Sequence, residues 1–249
     1  GDEVEVIYHL GACSDTTEWN GRVMMEQNYR HSKSILEYSI ITKTPLVYAS
    51  SAAVYGKSKE FKEVSSNEKP LNMYGYSKLA FDQHVRSKLK HANSTIIGLR
   101  YFNVFGVGES HKSKMASVVW HFYHQLVRTG LLRLFGASHG YRDGEQRRDF
   151  ISVADVVAVT LWASEQNSDV SGIYNCGTGS SLSFNQVATE IINSEGKGEI
   201  EYIKFPDELE DSYQAFTQAD LSSLRRAGYT EKFSDSLVEI REYVRCLAS

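Results

Sequence analysis

Apolar and polar positions change period several times along this chain, and each change marks an element. Residues 4–9 alternate and then run apolar into Leu10-Gly11-Ala12, the pattern of a buried strand feeding a loop. Over 23–41, Met24, Tyr29, Ile35, Leu36 and Ile40 recur at helical spacing. A short β-like run at 45–49 ends in Ser50-Ser51, residues 74–89 are helical again, and 94–101 is a strand rich in β-branched and apolar residues. Strands alternate with helices and no hairpin signal intervenes. That order predicts an α/β fold, a doubly wound, Rossmann-like parallel sheet with crossover helices.

Beyond about Gly106 the pattern is less regular. Residues 113–128 and 153–165 have helical spacing, 173–175 reads as a short strand, and Ser183 is placed to cap a helix. Residues 200–205 read as a strand, and 219–227 and 233–247 as helices. An open dinucleotide-binding sheet carries a Gly-rich phosphate loop after its first strand. The opening residues contain no such loop, and the chain opens Gly1-Asp2-Glu3 rather than with Met. The strand at 4–9 is therefore expected to be a middle strand, with the first βαβ units outside this sequence. The opening also has neither the basic end nor the apolar core of a leader.

Composition narrows the function classes. The 249 residues are 41% hydrophobic and 23% charged with net charge −4, which is globular and carries no basic stripe for nucleic acid. Cys13, Cys176 and Cys246 are far apart and odd in number, so they form neither a disulfide framework nor a zinc spacing and suit a reducing cytosol. No apolar run approaches the ~20 residues of a membrane span. The histidines show no metal spacing, so no metal is expected.

Five clusters could carry chemistry. Tyr74-Gly75-Tyr76-Ser77-Lys78 places a tyrosine and a lysine four apart at a helix start, on one face. A nearby ammonium favours phenolate and would lower the tyrosine's pKa; the plain alternative is a surface pair. Ser51, at a predicted strand end, lies where ligands sit in open parallel sheets; its alternative is a Ser-rich turn. Asn103, at the next strand end, could bond a ligand or simply make a turn. The segment His111-Lys112-Ser113-Lys114, opening a helix, favours anions or is a solvated basic loop. Arg147-Arg148-Asp149, with Tyr213 further on, suits phosphate oxygens or is a surface ion pair.

Taken together, Ser51, Tyr74, Lys78 and Asn103 in this order resemble the extended short-chain dehydrogenase/reductase superfamily. The segment Gly11-Ala12-Cys13-Ser14-Asp15-Thr16-Thr17-Glu18-Trp19 resembles one branch of it, the ADP-L-glycero-D-manno-heptose 6-epimerase family. So do Lys69-Pro70-Leu71-Asn72, the His111-Lys112 block before Met115-Ala116-Ser117, and Tyr213-Gln214-Ala215-Phe216-Thr217-Gln218-Ala219-Asp220-Leu221. The likeness runs over essentially the whole chain.

The resemblance implies a cytoplasmic, homo-oligomeric (typically pentameric) enzyme that supplies heptose for lipopolysaccharide core. It would act on ADP-heptose with tightly held NADP, NAD being the alternative cofactor. It implies Tyr74 and Lys112 as the two acid/base groups, Lys78 as cofactor-orienting and Ser51 as support for the reacting oxygen. Leu10, Gly11, Ala12, Cys13, Ser14, Gln27, Lys78, Val104 and Lys112 fall at cofactor positions. Asn103, Lys114, His121, Phe135, Gly136, Ala137, Ser138, Arg148 and Tyr213 fall at substrate positions. Residues 1–106 would then be a partial NADP-binding domain, and 107–249 mainly a substrate lobe with segments returning to the first domain.

The sequence departs from the branch at Gln27 (usually Asn), at Lys114 (commonly Ser) and in a longer loop at 141–146. Rival readings are a 4-epimerase, a 4,6-dehydratase or a non-catalytic remnant. Ala52-Ala53 after Ser51, in place of an acidic pair, speaks against a dehydratase, and the intact Ser51, Tyr74 and Lys78 set against a remnant.

Overall fold

The computed structural model describes residues 4–249. The leader reading at positions 1–3 lies outside the described residues. In chain order the strands are β1 (Ile7–His9), β2 (Leu46–Ser51), β3 (Ile96–Tyr101), β4 (Asn103–Phe105), β5 (Leu131–Phe135), β6 (Arg147–Arg148), β7 (Phe150–Ser152), β8 (Gly172–Cys176), β9 (Leu182–Ser183) and β10 (Glu199–Ile203). The α-helices are α1 (Gly21–Met24), α2 (His31–Thr42), α3 (Met73–Leu89), α4 (Val118–Thr129), α5 (Val153–Ser164), α6 (Phe184–Glu195), α7 (Ser222–Arg226) and α8 (Ser236–Ala248). They fall into two compact units.

The first unit holds the described residues through Tyr101, with Val157–Cys176 and Asp220–Thr230. Its sheet is parallel, in the order β1-β2-β3-β8. Leu36 of α2 and Phe81 and Val85 of α3 bury against Leu46, Tyr48 and Ile96 on one face. Residues of opposite parity point the other way: Tyr8 and Tyr101 hydrogen-bond Ser164 and Thr160 of α5. Helices therefore cover both faces, which makes the fold doubly wound and Rossmann-like. Gly98 sits mid-strand because Tyr48 lies across it; a Cβ there would come within 2.3 Å of that ring.

Several boundaries move for local reasons. The predicted helix over 23–41 is one helical run whose middle, Met25–Arg30, winds as a π-helix between α1 and α2. Such wide turns gather at functional sites. The run predicted at 113–128 divides into a 3₁₀ segment, Ser110–Met115, and α4, because Ser113 adopts φ 50° and ψ −125°. The helix expected over 219–227 begins only at Ser222, since the Ala219 N–H bonds the Asp149 carboxylate instead.

The second unit comprises Phe102–Val156, Gly177–Ala219 and Glu231–Ser249. It is built from two-stranded pairs, β4 with β7 and β5 with β10 in parallel and β6 with β9 antiparallel. Phe122 and Leu126 of α4, Val187 and Ile191 of α6 and Ile240 and Val244 of α8 close a core around Leu132, Leu134 and Phe150. Helix α6 starts where the sequence placed its cap, with Ser183 and Gln186 in a reciprocal capping box.

Candidate active site

In the first unit, strand β2 delivers Ser51 to the head of α3. Ser51 stays extended and its hydroxyl accepts the Ala53 N–H at 3.1 Å, capping a short 3₁₀ turn. Asn72 caps α3 by accepting the Gly75 N–H at 2.8 Å. Gly75 lets the first turn of α3 close on the 52–54 turn; a Cβ there would meet the Ala53 carbonyl at 2.7 Å. The approach sets the Ser51 hydroxyl near that of Tyr74, where it favours the phenolate.

One turn on, Lys78 is 5% exposed; its Nζ donates to the Ala49 carbonyl at 2.8 Å and lies 6.0 Å from the centre of the Tyr74 ring. Burial lowers the Lys78 pKa to about 8, against the pull of Asp82. Burial also raises Tyr74, with the Ser51 hydroxyl opposing and Cys13 adding to the rise. This corrects the expectation of a tyrosine lowered by its lysine. At that separation, desolvation of the phenolate outweighs the ammonium.

Asn28, in the π-helical turn, ties this pair to the 10–14 loop. Its side chain accepts the Cys13 N–H at 2.8 Å and donates to the Cys13 carbonyl at 2.9 Å and to Ser77 Oγ at 3.0 Å. Ser77 in turn donates to the Tyr74 carbonyl at 2.7 Å. The sequence pointed to neighbouring Gln27, which is exposed, whereas Asn28 is buried. His9, Gly11, Ala12, Cys13, Gln27 and His31 line an open cleft of about 440 Å³, and Leu10 and Ser14 flank it in sequence, exposed.

The floor of the cleft is set by His9, whose Nε2 is 2.7 Å from Ser32 Oγ. Ser32 gives its proton to the Asn28 carbonyl, so His9 Nε2 donates and the ring is neutral. Burial, then Lys78 and His31, lower the His9 pKa to about 4. Behind α3, the buried Asp82 carboxylate accepts from Tyr48, Ser50 and Arg100 at 3.0, 2.9 and 2.9 Å. This locks the residues on either side of Ala49, the partner of Lys78.

The second unit holds the remaining predicted residues in two places. The first place is Arg148, 8% exposed, with its guanidinium 4.9 Å from the Tyr213 ring and 5.6 Å from Phe184. Its Nη1 donates to the Arg147 carbonyl at 3.0 Å. It pairs with no carboxylate among the described residues, and burial lowers its pKa. Asp149, the partner of the plain alternative, instead takes N–H groups from Thr178, Gly179 and Ala219.

Phe135, Phe205 and Tyr213 stack edge to face beside Arg148, at 5.2, 6.0 and 5.1 Å between centres. His139, absent from the sequence reading, joins Phe205 and Tyr213 at 5.3 and 5.7 Å. Gly136, Ala137 and Ser138 follow as a fixed turn: Gly136 N–H bonds Ile203, Ala137 N–H bonds Asp143, and Gln146 donates to Gly136 and Ser138.

The second place is the chain from β4 to α4. Asn103 is exposed, with its N–H on the Asp149 carbonyl at 3.0 Å; Val104 is half-buried; Lys112 and Lys114 are exposed on the 3₁₀ segment; His121 is half-buried on α4. The structure thus brings together Ser51, Tyr74 and Lys78 in one unit, and Phe135–Ser138, Arg148 and Tyr213 in the other. No group of three or more His, Cys, Asp or Glu side chains that could hold a metal occurs among the described residues. No described helix is long and apolar enough to cross a membrane.

A tyrosine and a buried lysine one turn apart, beside a strand-end serine in a doubly wound sheet, define the candidate site. The model of the NAD dependent epimerase/dehydratase family matches residues 1–177, and the chain belongs to that family. Within the family, it is 52% identical over 245 residues to the ADP-L-glycero-D-manno-heptose-6-epimerase of Alkalilimnicola ehrlichii, spanning 98% of this chain and 76% of that protein. The crystal structure of Helicobacter pylori ADP-L-glycero-D-manno-heptose-6-epimerase superposes with a TM-score of 0.85 at 33% identity, covering 98% of this chain and 73% of that one. A UDP-N-acetylglucosamine 4-epimerase from Methanobrevibacter ruminantium shares the fold, with a TM-score of 0.83 at 21% identity over 98% of this chain and 76% of that one.

Proposed function

We propose that the protein inverts C6 of ADP-D-glycero-β-D-manno-heptose to give the L-glycero epimer, through a transient 6-ketone and with NADP rather than NAD as the nicotinamide cofactor. The observation that carries the reading is the Ser51 hydroxyl beside Tyr74, one turn before buried Lys78, in a chain 52% identical to a heptose epimerase. The residues present fit such a cofactor. Gly11 leaves open space where a side chain would stand, the loop beside it is pinned by Asn28, and Lys78 offers a buried cation. Leu10, Gly11, Ala12, Cys13, Ser14, Gln27 and Lys78 would hold it, and the resemblance adds Val104 and Lys112. When bound, NADP supplies the hydride acceptor for C6 and returns the hydride to the opposite face.

Tyr74 takes the C6 hydroxyl proton, and Ser51 bonds the oxygen as it becomes a carbonyl. Tyr74 accepts this proton as its phenolate, a form that burial disfavours and that the positive charge of Lys78 favours. Lys112 serves as the second acid/base group, exchanging a proton on the other side of the ketone. Arg148 and Tyr213 receive the diphosphate, and Asn103, Lys114, His121 and Phe135–Ser138 the rest of the substrate. A guanidinium that is buried and unpaired with carboxylate is suited to phosphate oxygens. The enzyme works in the cytoplasm as a homo-oligomer, a pentamer by resemblance.

Incubation of the protein with ADP-D-glycero-D-manno-heptose and NADP⁺, followed by chromatography of the C6 epimers, tests the reading. Interconversion without accumulating NADPH is expected. No interconversion despite cofactor binding would assign the site to another nucleotide sugar.

A further inference from the structure

Lys112 has little regular structure to hold it. It is exposed, as are His111, Ser113 and Lys114 around it, and the backbone at Ser113 has φ 50° and ψ −125°, a costly conformation for a residue with a side chain. Beside this arm lies Glu109, only 6% exposed. Its carboxylate accepts the Ser117 hydroxyl at 2.7 Å, the Ser117 N–H at 2.5 Å and the Gly106 N–H at 3.4 Å. The Glu109 charge also faces Tyr243 of α8 and, after burial, helps push that phenol's pKa up. Glu109's own carbonyl accepts the Lys112 N–H at 2.9 Å. Ser117, gripped in this way, caps α4 by accepting the Trp120 N–H at 3.2 Å. One buried carboxylate therefore joins residues on both sides of the arm, and the backbone of the same residue holds Lys112 directly.

We propose that Glu109 is a positioning residue for Lys112: its carboxylate staples Gly106 to Ser117 and so presents the Lys112 ammonium at a fixed place. The proposal rests on the reading of Lys112 as the second acid/base group. Glu109→Gln keeps the size but removes the charge and one accepting atom, so the Ser117 N–H and hydroxyl can no longer both be held. A misplacement of about 1 Å can cost on the order of 10²-fold in rate.

The test is a cycle of four proteins, wild type, Lys112→Met, Glu109→Gln and the double variant, with turnover of ADP-heptose and NADP⁺ affinity measured on each. The expected results are a fall in kcat of about 10–100-fold for Glu109→Gln, NADP⁺ affinity within about twofold of wild type, and less than about twofold further loss when the change is made in Lys112→Met. Ser117→Ala, which removes the hydroxyl that the Glu109 carboxylate holds, is expected to lower kcat several-fold in wild type and not at all in Lys112→Met; it decides the cycle if the Glu109 variant does not fold. An undiminished kcat in Glu109→Gln, or an equal loss in both backgrounds, overturns the proposal while leaving Lys112 its role. Full turnover in Lys112→Met overturns the acid/base reading and the proposal with it.

Discussion

Two lysines illustrate two ways of building a site. Lys78 is carried by α3, is 5% exposed, and its Nζ is satisfied by Ala49 on a strand whose neighbouring side chains are locked by Asp82. Lys112 is exposed on an irregular arm that depends on a carboxylate for its anchorage. Helix geometry alone places the first relative to Tyr74, since residues four apart share a face. The second depends on contacts of an irregular segment, among them Glu109 with Ser117 eight positions on. Burial also lowers the Lys78 pKa to about 8. Regular elements thus hold Tyr74 and Lys78, while Lys112 sits on an irregular 3₁₀ segment.

Substitutions can break this comparison. The largest effect is expected for Tyr74→Phe and Lys112→Met, each slowing kcat by roughly 10²–10⁴-fold; steady-state assays in which either stays near wild type would remove that residue from the reaction. Next comes Arg148→Gln. Loss of charged hydrogen bonds worth about 1.5–3 kcal/mol should raise KM for the sugar nucleotide roughly 10–100-fold with a smaller change in kcat, and an unchanged KM would move the diphosphate elsewhere.

Asn28→Ala strips buried partners from Cys13 and Ser77, at a cost of about 1–3 kcal/mol. A lower melting temperature and several-fold weaker NADP⁺ binding are expected, by calorimetry and titration; loss of stability without loss of affinity would separate Asn28 from the cofactor loop.

The smallest effects are set by pH. Turnover should decline as pH rises through about 8, where Lys78 loses its proton, and a profile flat to pH 10 would contradict its charged role. His9 titrates at about 4 when folded and near 6.5 when unfolded. In that window the unfolded chain binds the extra proton, so stability is lost as pH falls from 6.5 toward 4. Melting curves of His9→Gln should lose less over that range than wild type.

Periodic features were readable from the sequence. The strand–helix alternation through Tyr101, the Ser183 cap and the shared face of Tyr74 and Lys78 each depend on residues a few positions apart. The parallel pairing of β4 with β7 and of β5 with β10 was not, because three- to five-residue strands carry too little period to separate them from loops. Asn28 and Asp82, and the partners of Asp149, were missed for a different reason. Asn28 has its partner Ser77 49 positions away, Asp82 meets Tyr48 34 positions away, and Asp149 meets Ala219 70 away. A polar residue whose partner is brought by the fold looks, in sequence, like any surface residue. His139 was hidden in the same way, inside a turn with φ 52° at its own position.

The proposed chemistry stands on hydride being carried away from C6 and brought back without exchange with water. The direct measurement is epimerisation of ADP-D-glycero-D-manno-heptose in D₂O with NADP⁺, followed by mass spectrometry and proton NMR of the product. The account predicts an L-glycero product that keeps its original hydrogen at C6. Deuterium at C6 would mean inversion by proton removal from carbon, and would contradict the acid/base roles of Tyr74 and Lys112.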